Sequence, residues 1–172
     1  MCYTGCMKPL KNVIMIANVG RNRELGCNND LIWKFKEDLG TFRKITMGHP
    51  MVMGLNTWRS LPGMLPGRKH IVISDTPFDH PAEVVTLSSI HEFEGFAAGY
   101  GKDIYVIGGG MIYSQLLPLA SKMILTEVDA DAPDAVVFFP KFDKSDWDIV
   151  EENKFTDPDS GIAYVRRVYN RL

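Results

Sequence analysis

The sequence predicts a single α/β domain with a mainly parallel central sheet flanked by helices and an antiparallel pair of strands at its C-terminal end. Three observations lead to this fold class. Short β-rich segments alternate with segments of helical periodicity along the chain. The strand segments are unbroken apolar runs, which is typical of strands buried on both faces of a parallel sheet. The last two strands have no helix between them, so we expect them to pair antiparallel.

Each element follows from its local pattern. The predicted strands are rich in β-branched and aromatic residues and are bounded by turn formers. They cover residues 12–18, 51–54, 70–74, 83–87, 104–107, 123–128, 147–153 and 162–169. The predicted helices cover residues 35–46, a short stretch from Asn56, residues 88–98 with Ser88 or Ser89 as the N-cap, and a stretch after Gly110 that carries Ile112, Leu116 and Leu119.

Length and charge limit the class of protein. The 172 residues carry a net charge of −2, with acidic and basic residues mixed along the chain. This balance argues against a nucleic-acid surface or a polybasic membrane face. The longest apolar run, Val13–Ala17, is too short to span a bilayer. We expect residues 1–11 to be a leader, disordered before the first strand, and residues 12–172 to form the domain.

The cysteines and the surface pattern give further expectations. Cys2, Cys6 and Cys27 are odd in number and lack metal-ligand spacing. Residues 1–12 show no secretory signal, so reduced thiols in a cytoplasmic protein are expected. No metal site is predicted. The sequence shows no apolar stripe left over for a partner, and we expect a monomer.

Asp38 interrupts an apolar helical stripe. In a helix over residues 35–46, five residues share one face by the 3.6-residue period: Phe35, Asp38, Leu39, Phe42 and Ile45. A carboxylate that faces apolar surface is costly without a partner, and a cationic or hydrogen-bond-donating ligand is such a partner. The alternative is an acid that complements the helix dipole, but such acids normally face water.

Two strand-to-helix junctions are rich in glycine. A strand at 104–107 runs into the glycine triplet 108–110, and Gly54 ends another strand, with Thr57 in the helix that follows. Backbone without side chains lets a flat ring or a pyrophosphate approach, and helix N-termini attract anions. The two junctions therefore predict the two ends of a dinucleotide site. Tight turns, with Thr57 as a capping residue, are the alternative for each junction alone.

Two other segments are candidates for ligand contact. Residues 26–33 form a polar, turn-prone loop ending in Trp33, placed where a lid over the carboxyl edge of the sheet would lie. A core-filling Trp33 is the alternative. Arg68 precedes a central strand and is suited to a bidentate pair with a ligand carboxylate, although an exposed surface arginine is the usual alternative.

The order and spacing of these motifs are more specific than any one of them. The set comprises Asp38 behind the Trp33 loop, Gly54-x-x-Thr57-Trp58, Leu65-Pro66-Gly67-Arg68, Val106-Ile107 with the glycine triplet and Tyr113, Leu125-Thr126, and Phe139-Pro140 before Asp146-Trp147. From about Asn12 to the C-terminus, this set resembles the dihydrofolate reductase family.

The resemblance implies that NADPH delivers hydride to C6 of 7,8-dihydrofolate and that N5 takes a proton, giving 5,6,7,8-tetrahydrofolate. Asp38 would accept hydrogen bonds from the pterin N3 and 2-amino group, with Thr126 in support. The loop from Leu31 to Trp33 would close the site while a water delivers the proton. Asp38, Trp33, Leu31 and Thr126 are thus the implied catalytic residues, and antifolates are implied ligands.

The resemblance also assigns contact residues by position. The substrate would contact Ile16, Asp38, Leu39, Phe42, Leu61, Leu65, Arg68, Ile107, Tyr113 and Thr126, with Arg68 on the α-carboxylate of the glutamate tail. The cofactor would contact Ala17 and Asn18 through their backbone, and Gly26, Gly54, Leu55, Asn56, Thr57, Ser74, Asp75, Gly108, Gly109, Gly110, Met111, Ile112, Tyr113 and Gln115. The peptide bond between Gly108 and Gly109 is expected to be cis.

The sequence departs from the family pattern in two places. Leu55, Asp75 and Met111 stand where relatives commonly place basic or hydroxyl side chains around the 2′-phosphate of NADPH. Because Asp75 would repel that phosphate, we expect weak discrimination against NADH, which would also be accepted. In the lid, Ile32 replaces a proline, and residues 135–137 replace a Gly-Asp-Thr-like segment. We therefore expect the lid to be held closed by other contacts.

Two other functions are compatible with parts of the pattern. The pyrimidine reductase of riboflavin biosynthesis shares the fold, but Asp38 and Arg68 favour folate as the substrate. A catalytically silent folate- or nucleotide-binding module is the second alternative, and the presence of Asp38, Thr126 and the glycine triplet argues against it.

Overall fold

The computed structural model describes residues 7–28 and 30–172. In the described residues the strands are β1 (Leu10–Val19), β2 (Glu24–Cys27), β3 (Asp30–Leu31), β4 (Met51–Gly54), β5 (His70–Ile73), β6 (Val85–Leu87), β7 (Ile104–Gly108), β8 (Ala120–Val128), β9 (Val137–Phe138), β10 (Trp147–Thr156) and β11 (Ala163–Arg171). The α-helices are α1 (Lys36–Thr46), α2 (Leu55–Ser60), α3 (Ile90–Ala98) and α4 (Gly110–Leu116).

Eight strands form one sheet in the order β10-β11-β8-β1-β7-β4-β5-β6. The six strands from β8 to β6 pair in parallel, whereas β11 pairs antiparallel with both β8 and β10. This arrangement confirms the predicted fold class. Because parallel strands end at the same edge, the C-terminal residues of β1, β4, β7 and β8 converge there. The candidate residues of the site lie at this edge.

The core follows from the apolar strands. β1, β4, β5 and β7 are the most buried elements, with residues such as Met15, Val52 and Val106 fully inaccessible to solvent. Burial of these strands on both faces explains why their sequences lack a polar alternation. The described residues contain no helix long and apolar enough to cross a membrane.

Most predicted elements are confirmed with shifted ends. Ser89 is the N-cap of α3, and its side chain accepts a hydrogen bond from the Glu92 amide. The helix expected to run through Leu119 instead ends at Leu116, since Pro118 cannot donate a helical hydrogen bond, and a 3₁₀ turn follows. β1 begins at Leu10 because it pairs with Ala120, so the predicted leader is too long. Residues 1–6 of that leader lie outside the described residues.

Part of the turn-prone loop predicted at residues 26–33 forms short strands instead. Gly26 pairs with Leu31 in the β2–β3 hairpin and with Val137 in β9, forming a separate three-stranded antiparallel sheet. Strands of two to four residues are too short to show an alternating pattern, and β2 and β9 are distant in sequence. Pairing between them therefore left no local signal.

Candidate active site

Asp38 lies in the first turn of α1 with its side chain turned toward the sheet. The side chain is only 14% exposed. Oδ1 accepts a hydrogen bond from the Thr126 hydroxyl at 2.5 Å, so the structure brings these two predicted site residues together. Thr126 is itself buried near the carboxyl end of β8. The helix and the strand thus hold one carboxylate at the edge of the sheet where ligands bind in α/β folds.

Two further donors reach the same carboxylate, and neither was predicted. The Asn18 amide, at the end of β1, donates from Nδ2 to Asp38 Oδ2 at 3.0 Å. The sequence interpretation had used only the backbone of Asn18. Arg166 on β11 donates from Nη2 to Asp38 Oδ1, also at 3.0 Å, and forms an ion pair with Glu37. A hydrogen-bonded buried carboxylate is far less costly than an isolated one, so these contacts stabilise Asp38 in its inward position.

The lid is anchored by β9 and by a buried glutamate. Phe139 donates its amide to the Arg23 carbonyl at 2.8 Å, and the Arg23 guanidinium donates to the Phe139 carbonyl at 2.6 Å. Glu24 is 2% exposed and accepts bonds from the Asn22 and Ala132 amides, so its pKa is lowered despite the opposing effect of burial. These contacts join the segment of residues 22–24, which precedes the predicted lid, to residues 132–139.

The side chains of Trp33 and Leu31, both in the predicted lid, differ strongly in their exposure to solvent. Trp33 is buried and packs in a cluster with Phe35, Val128 and Tyr164, so it fills space between the lid and the sheet. Leu31, in contrast, is 48% exposed on β3. The lid therefore offers one fixed aromatic residue and one accessible apolar side chain.

The two glycine junctions meet at the carboxyl edge. The Gly108–Gly109 peptide bond is cis, as expected. A Cβ on Gly54 would lie 2.9 Å from the Ile112 side chain, and one on Gly108 would lie 3.2 Å from the Thr57 hydroxyl. Close packing of the β4–α2 and β7–α4 junctions thus depends on glycine. The two junctions predicted to hold the ends of a dinucleotide are thus packed against each other.

The residues expected to line the substrate pocket connect two clusters of the core. Phe42 and Ile107 pack both against the cluster that contains Ile16 and against the cluster that includes Leu61 and Leu65. Tyr113 is buried and donates its hydroxyl to the Ile16 carbonyl at 2.7 Å, while burial raises its pKa strongly. Leu39, which the sequence places on the apolar face of α1, is 41% exposed.

Arg68 is half-buried beside α1. Nη1 donates to the Thr46 hydroxyl at 3.3 Å and Nε donates to the Pro66 carbonyl at 3.2 Å. Burial, with a smaller effect of Arg43, lowers its pKa. Within the described residues, Arg68 forms no ion pair with a carboxylate. The guanidinium is therefore available for an anionic ligand.

The residues predicted around the 2′-phosphate offer no cation. Asp75 is exposed and accepts a bond from the Thr76 hydroxyl, and Ser74 bonds with the Thr76 backbone. Met111 is 76% exposed and Leu55 is half-buried. Asn56 and Gln115 are also exposed. In the described residues, no group of three or more His, Cys, Asp or Glu is placed to hold a metal ion.

Comparison with known proteins identifies the family of this chain. The sequence profile described as dihydrofolate reductase matches residues 12–171. The chain belongs to the dihydrofolate reductase family. Its activity is reduction of dihydrofolate with a nicotinamide cofactor. It is 35% identical over 153 residues to the dihydrofolate reductase of Neisseria gonorrhoeae, covering 88% of this chain and 93% of that protein. The enzyme of Bacillus subtilis (strain 168) is 34% identical over 144 residues, or 84% of each chain.

A solved dihydrofolate reductase has the same fold. The enzyme from Enterococcus faecalis, complexed with NADP(H) and RAB-propyl, superposes with a TM-score of 0.83 at 25% identity. The match covers 92% of this chain and 95% of that chain. Family and fold thus agree that this chain is a dihydrofolate reductase.

Proposed function

We propose that this dihydrofolate reductase uses Asp38 to hold the pterin of 7,8-dihydrofolate and produces 5,6,7,8-tetrahydrofolate. The observation that carries this assignment is the 14% exposed carboxylate of Asp38 at the carboxyl edge of the sheet. A carboxylate accepts two parallel N–H bonds well, and the pterin presents such a pair at N3 and the 2-amino group. Thr126 keeps the acceptor oxygens aligned through its bond to Oδ1.

The residues around Asp38 account for protonation and orientation. Bound NADPH supplies the hydride that reaches C6. The negative charge of Asp38 favours the pterin protonated at N5, so positive charge is tolerated where the hydride arrives. Asp38 holds the opposite edge of the ring, and a water delivers the N5 proton. Leu31 and Trp33, on the lid, limit access of bulk water during this step.

The glycine junctions fit a dinucleotide cofactor. Gly54 and Gly108 leave no room for a Cβ, which would meet the Ile112 and Thr57 side chains, so the two junctions lie close together at the carboxyl edge. NADPH is the cofactor of the family, and we further propose that NADH is accepted with little loss. Support comes from Leu55, Asp75 and Met111, none of which can form a charge-assisted bond with a 2′-phosphate.

Three finer assignments complete the proposal. Arg68 binds the α-carboxylate of the glutamate tail, which its lack of an acidic partner among the described residues supports. The protein is a monomer, which size-exclusion chromatography with light scattering would test. It works in the cytoplasm, consistent with a free Cys27, and cell fractionation would test that location.

The test of the proposed function is the loss of nicotinamide absorbance with dihydrofolate, in the parent and in Asp38→Asn. We expect turnover by the parent and a loss of at least about 100-fold at neutral pH in the variant, because a neutral amide does not favour the protonated pterin. Asp148→Asn, which removes an exposed acid on the edge strand β10, should retain the parent rate. An inactive parent would support the binding-module alternative, and a fully active Asp38→Asn would remove Asp38 from catalysis.

A further inference from the structure

Strand register places a permanent cation beside the pterin-binding acid. Arg166 on β11 stands directly opposite Thr126 on β8 in the antiparallel ladder. Residues paired in this way share one face of a sheet. Both donate to Oδ1 of Asp38, Thr126 at 2.5 Å and Arg166 at 3.0 Å. A guanidinium therefore lies in contact with the carboxylate to which the mechanism assigns the pterin.

Glu37 holds this guanidinium from the adjacent position on α1. Nη1 of Arg166 donates to Glu37 Oε1 at 3.1 Å and Nη2 donates to Oε2 at 2.7 Å, a bidentate pair. Thr41 and Tyr164 donate to the same carboxylate. The bonds from Arg166 are the largest cause of a Glu37 pKa lowered to about 2. Glu37 thus stays ionised throughout the neutral range.

Solvent has little access to Arg166 and cannot readily replace a lost partner. The side chain of Arg166 is 11% exposed, and its guanidinium carbon lies 4.8 Å from the centre of the Phe155 ring. A buried guanidinium without an acid is strongly unfavourable. With both acids ionised, one cation and two anions leave a single net negative charge. That charge remains on the side of Asp38, since Glu37 takes the bidentate pair.

We propose that Arg166 is a positioning residue that fixes the Asp38 carboxylate for the pterin, and that Glu37 offsets the charge of Arg166 so that the site keeps one net negative charge. This inference rests on the proposed role of Asp38. The charged and titratable groups that face Asp38 are Glu37 from α1 and Tyr164 and Arg166 from β11. β1 and β8 contribute the uncharged Asn18 and Thr126.

Replacement of Arg166 and replacement of Glu37 should change the charge of the cluster, and therefore the pH midpoint, in opposite directions. A merely structural role would not produce this difference. Arg166→Met removes the cation, leaving two adjacent acids. We expect kcat/KM for dihydrofolate at neutral pH to fall about 10- to 100-fold, as for other residues that orient a site. The midpoint of the pH profile of kcat/KM should rise by about one pH unit in this variant, because two adjacent acids without the cation ionise less readily. Arg166→Lys should recover part of the loss.

Glu37→Gln reverses the charge change. The guanidinium then pairs with Asp38 alone, and the net charge of the cluster becomes zero. We expect the pH midpoint to fall. The protonated 2,4-diaminopyrimidine ring of trimethoprim should also lose about 10-fold more affinity than folate, whose pterin ring is uncharged. Glu37 is 41% exposed and the replacement is isosteric, so this variant tests the proposal even where Arg166→Met fails to fold.

Arg167→Met provides the matched control. Arg167 is the next residue of β11 and faces the other side of the sheet, where it pairs with Glu127 and Glu152. The Arg167→Met variant should retain the parent pH profile. Trimethoprim and folate affinities, titrated by protein fluorescence from about pH 5 to about pH 9, require no turnover. An inactive parent would therefore overturn the proposed reaction alone, whereas profiles of Arg166→Met and Glu37→Gln that match the Arg167→Met profile would overturn the positioning role.

Discussion

Asn18 donates a hydrogen bond from Nδ2 to Asp38 Oδ2 at 3.0 Å, while its own Oδ1 is buried without a partner among the described residues. The amide thus supports the carboxylate from β1 at an energetic cost to the fold. A buried acceptor without a donor costs about 1–3 kcal/mol. Such a cost is expected where a side chain is placed for function rather than for stability.

Replacement of Asn18 should therefore separate activity from stability. In Asn18→Ala we expect kcat/KM for dihydrofolate to fall about 3- to 10-fold, since the lost bond is worth about 1 kcal/mol of alignment. The melting temperature should stay equal or rise, because the unpaired oxygen is gone. Steady-state kinetics and thermal unfolding check the two effects. A variant that loses stability and activity in parallel would contradict this interpretation.

Sequence periodicity identified Asp38 because its neighbours on α1 are apolar, and the strand-to-helix pattern identified the glycine junctions. Thr126 was assigned only through the family resemblance. Periodicity missed Arg166 because the pattern of β11 does not distinguish Arg166 from Arg167. The pairing of Arg166 with Thr126 places Arg166 on the face of the sheet that carries Thr126. This register joins residues 40 positions apart in the sequence. The same limit hid β2 and β9, which are short and pair across more than a hundred residues. Non-local pairing was thus the missing information.

The choice between NADPH and NADH should be controlled by Leu55 and Asp75. We expect the parent to prefer NADPH by less than about 100-fold, or about 2.7 kcal/mol. Leu55→Arg should raise that preference by about 10- to 100-fold, since a charge-assisted bond to phosphate is worth about 1.5–3 kcal/mol. Kinetics with both cofactors measure the ratio. Asp75→Asn should move it in the same direction.

Asp148→Asn is the control for the cofactor prediction, because it makes the same change of charge on an exposed residue of β10, at the opposite end of the sheet from β5 and Asp75. We expect it to leave the ratio of kcat/KM values for NADPH and NADH unchanged. A parent preference well above about 100-fold would defeat the prediction, as that ratio requires phosphate contacts that Leu55, Asp75 and Met111 cannot form.

Gly20 leaves room for the side chains of Glu24 and Trp33. A Cβ there would lie 2.4 Å from Glu24 Oε2 and 2.4 Å from Cη2 of Trp33. In Gly20→Ala we expect a loss of about 1–3 kcal/mol in the free energy of unfolding, as for other overpacked sites. We also expect altered tryptophan fluorescence and a lower kcat/KM, because Trp33 must move. Gly95→Ala on α3, where the described residues leave room for a Cβ, should gain up to about 1 kcal/mol.

His70 should make the fold sensitive to mild acid. It is fully buried on β5, and burial is the largest cause of a pKa lowered from 6.5, with Arg68 adding to it. Nε2 accepts the Leu65 amide at 3.1 Å, so a proton on Nε2 would break the bond that holds the Leu65–Arg68 segment. The neutral form is therefore the one compatible with the fold.

The sign of the pH effect follows from this lowered pKa. Stability supplied by neutral His70 is complete above the unfolded pKa of 6.5 and is lost as pH falls below it toward the folded value, by up to about 1.4 kcal/mol per pH unit. The stability advantage of the parent over His70→Asn should thus shrink between about pH 7.5 and about pH 5 in urea unfolding. His91→Asn, whose side chain is 96% exposed, should show no such change. A constant difference between parent and His70→Asn would contradict the prediction.

If Arg68 binds the substrate tail, KM for dihydrofolate should rise over the same pH interval in the parent alone.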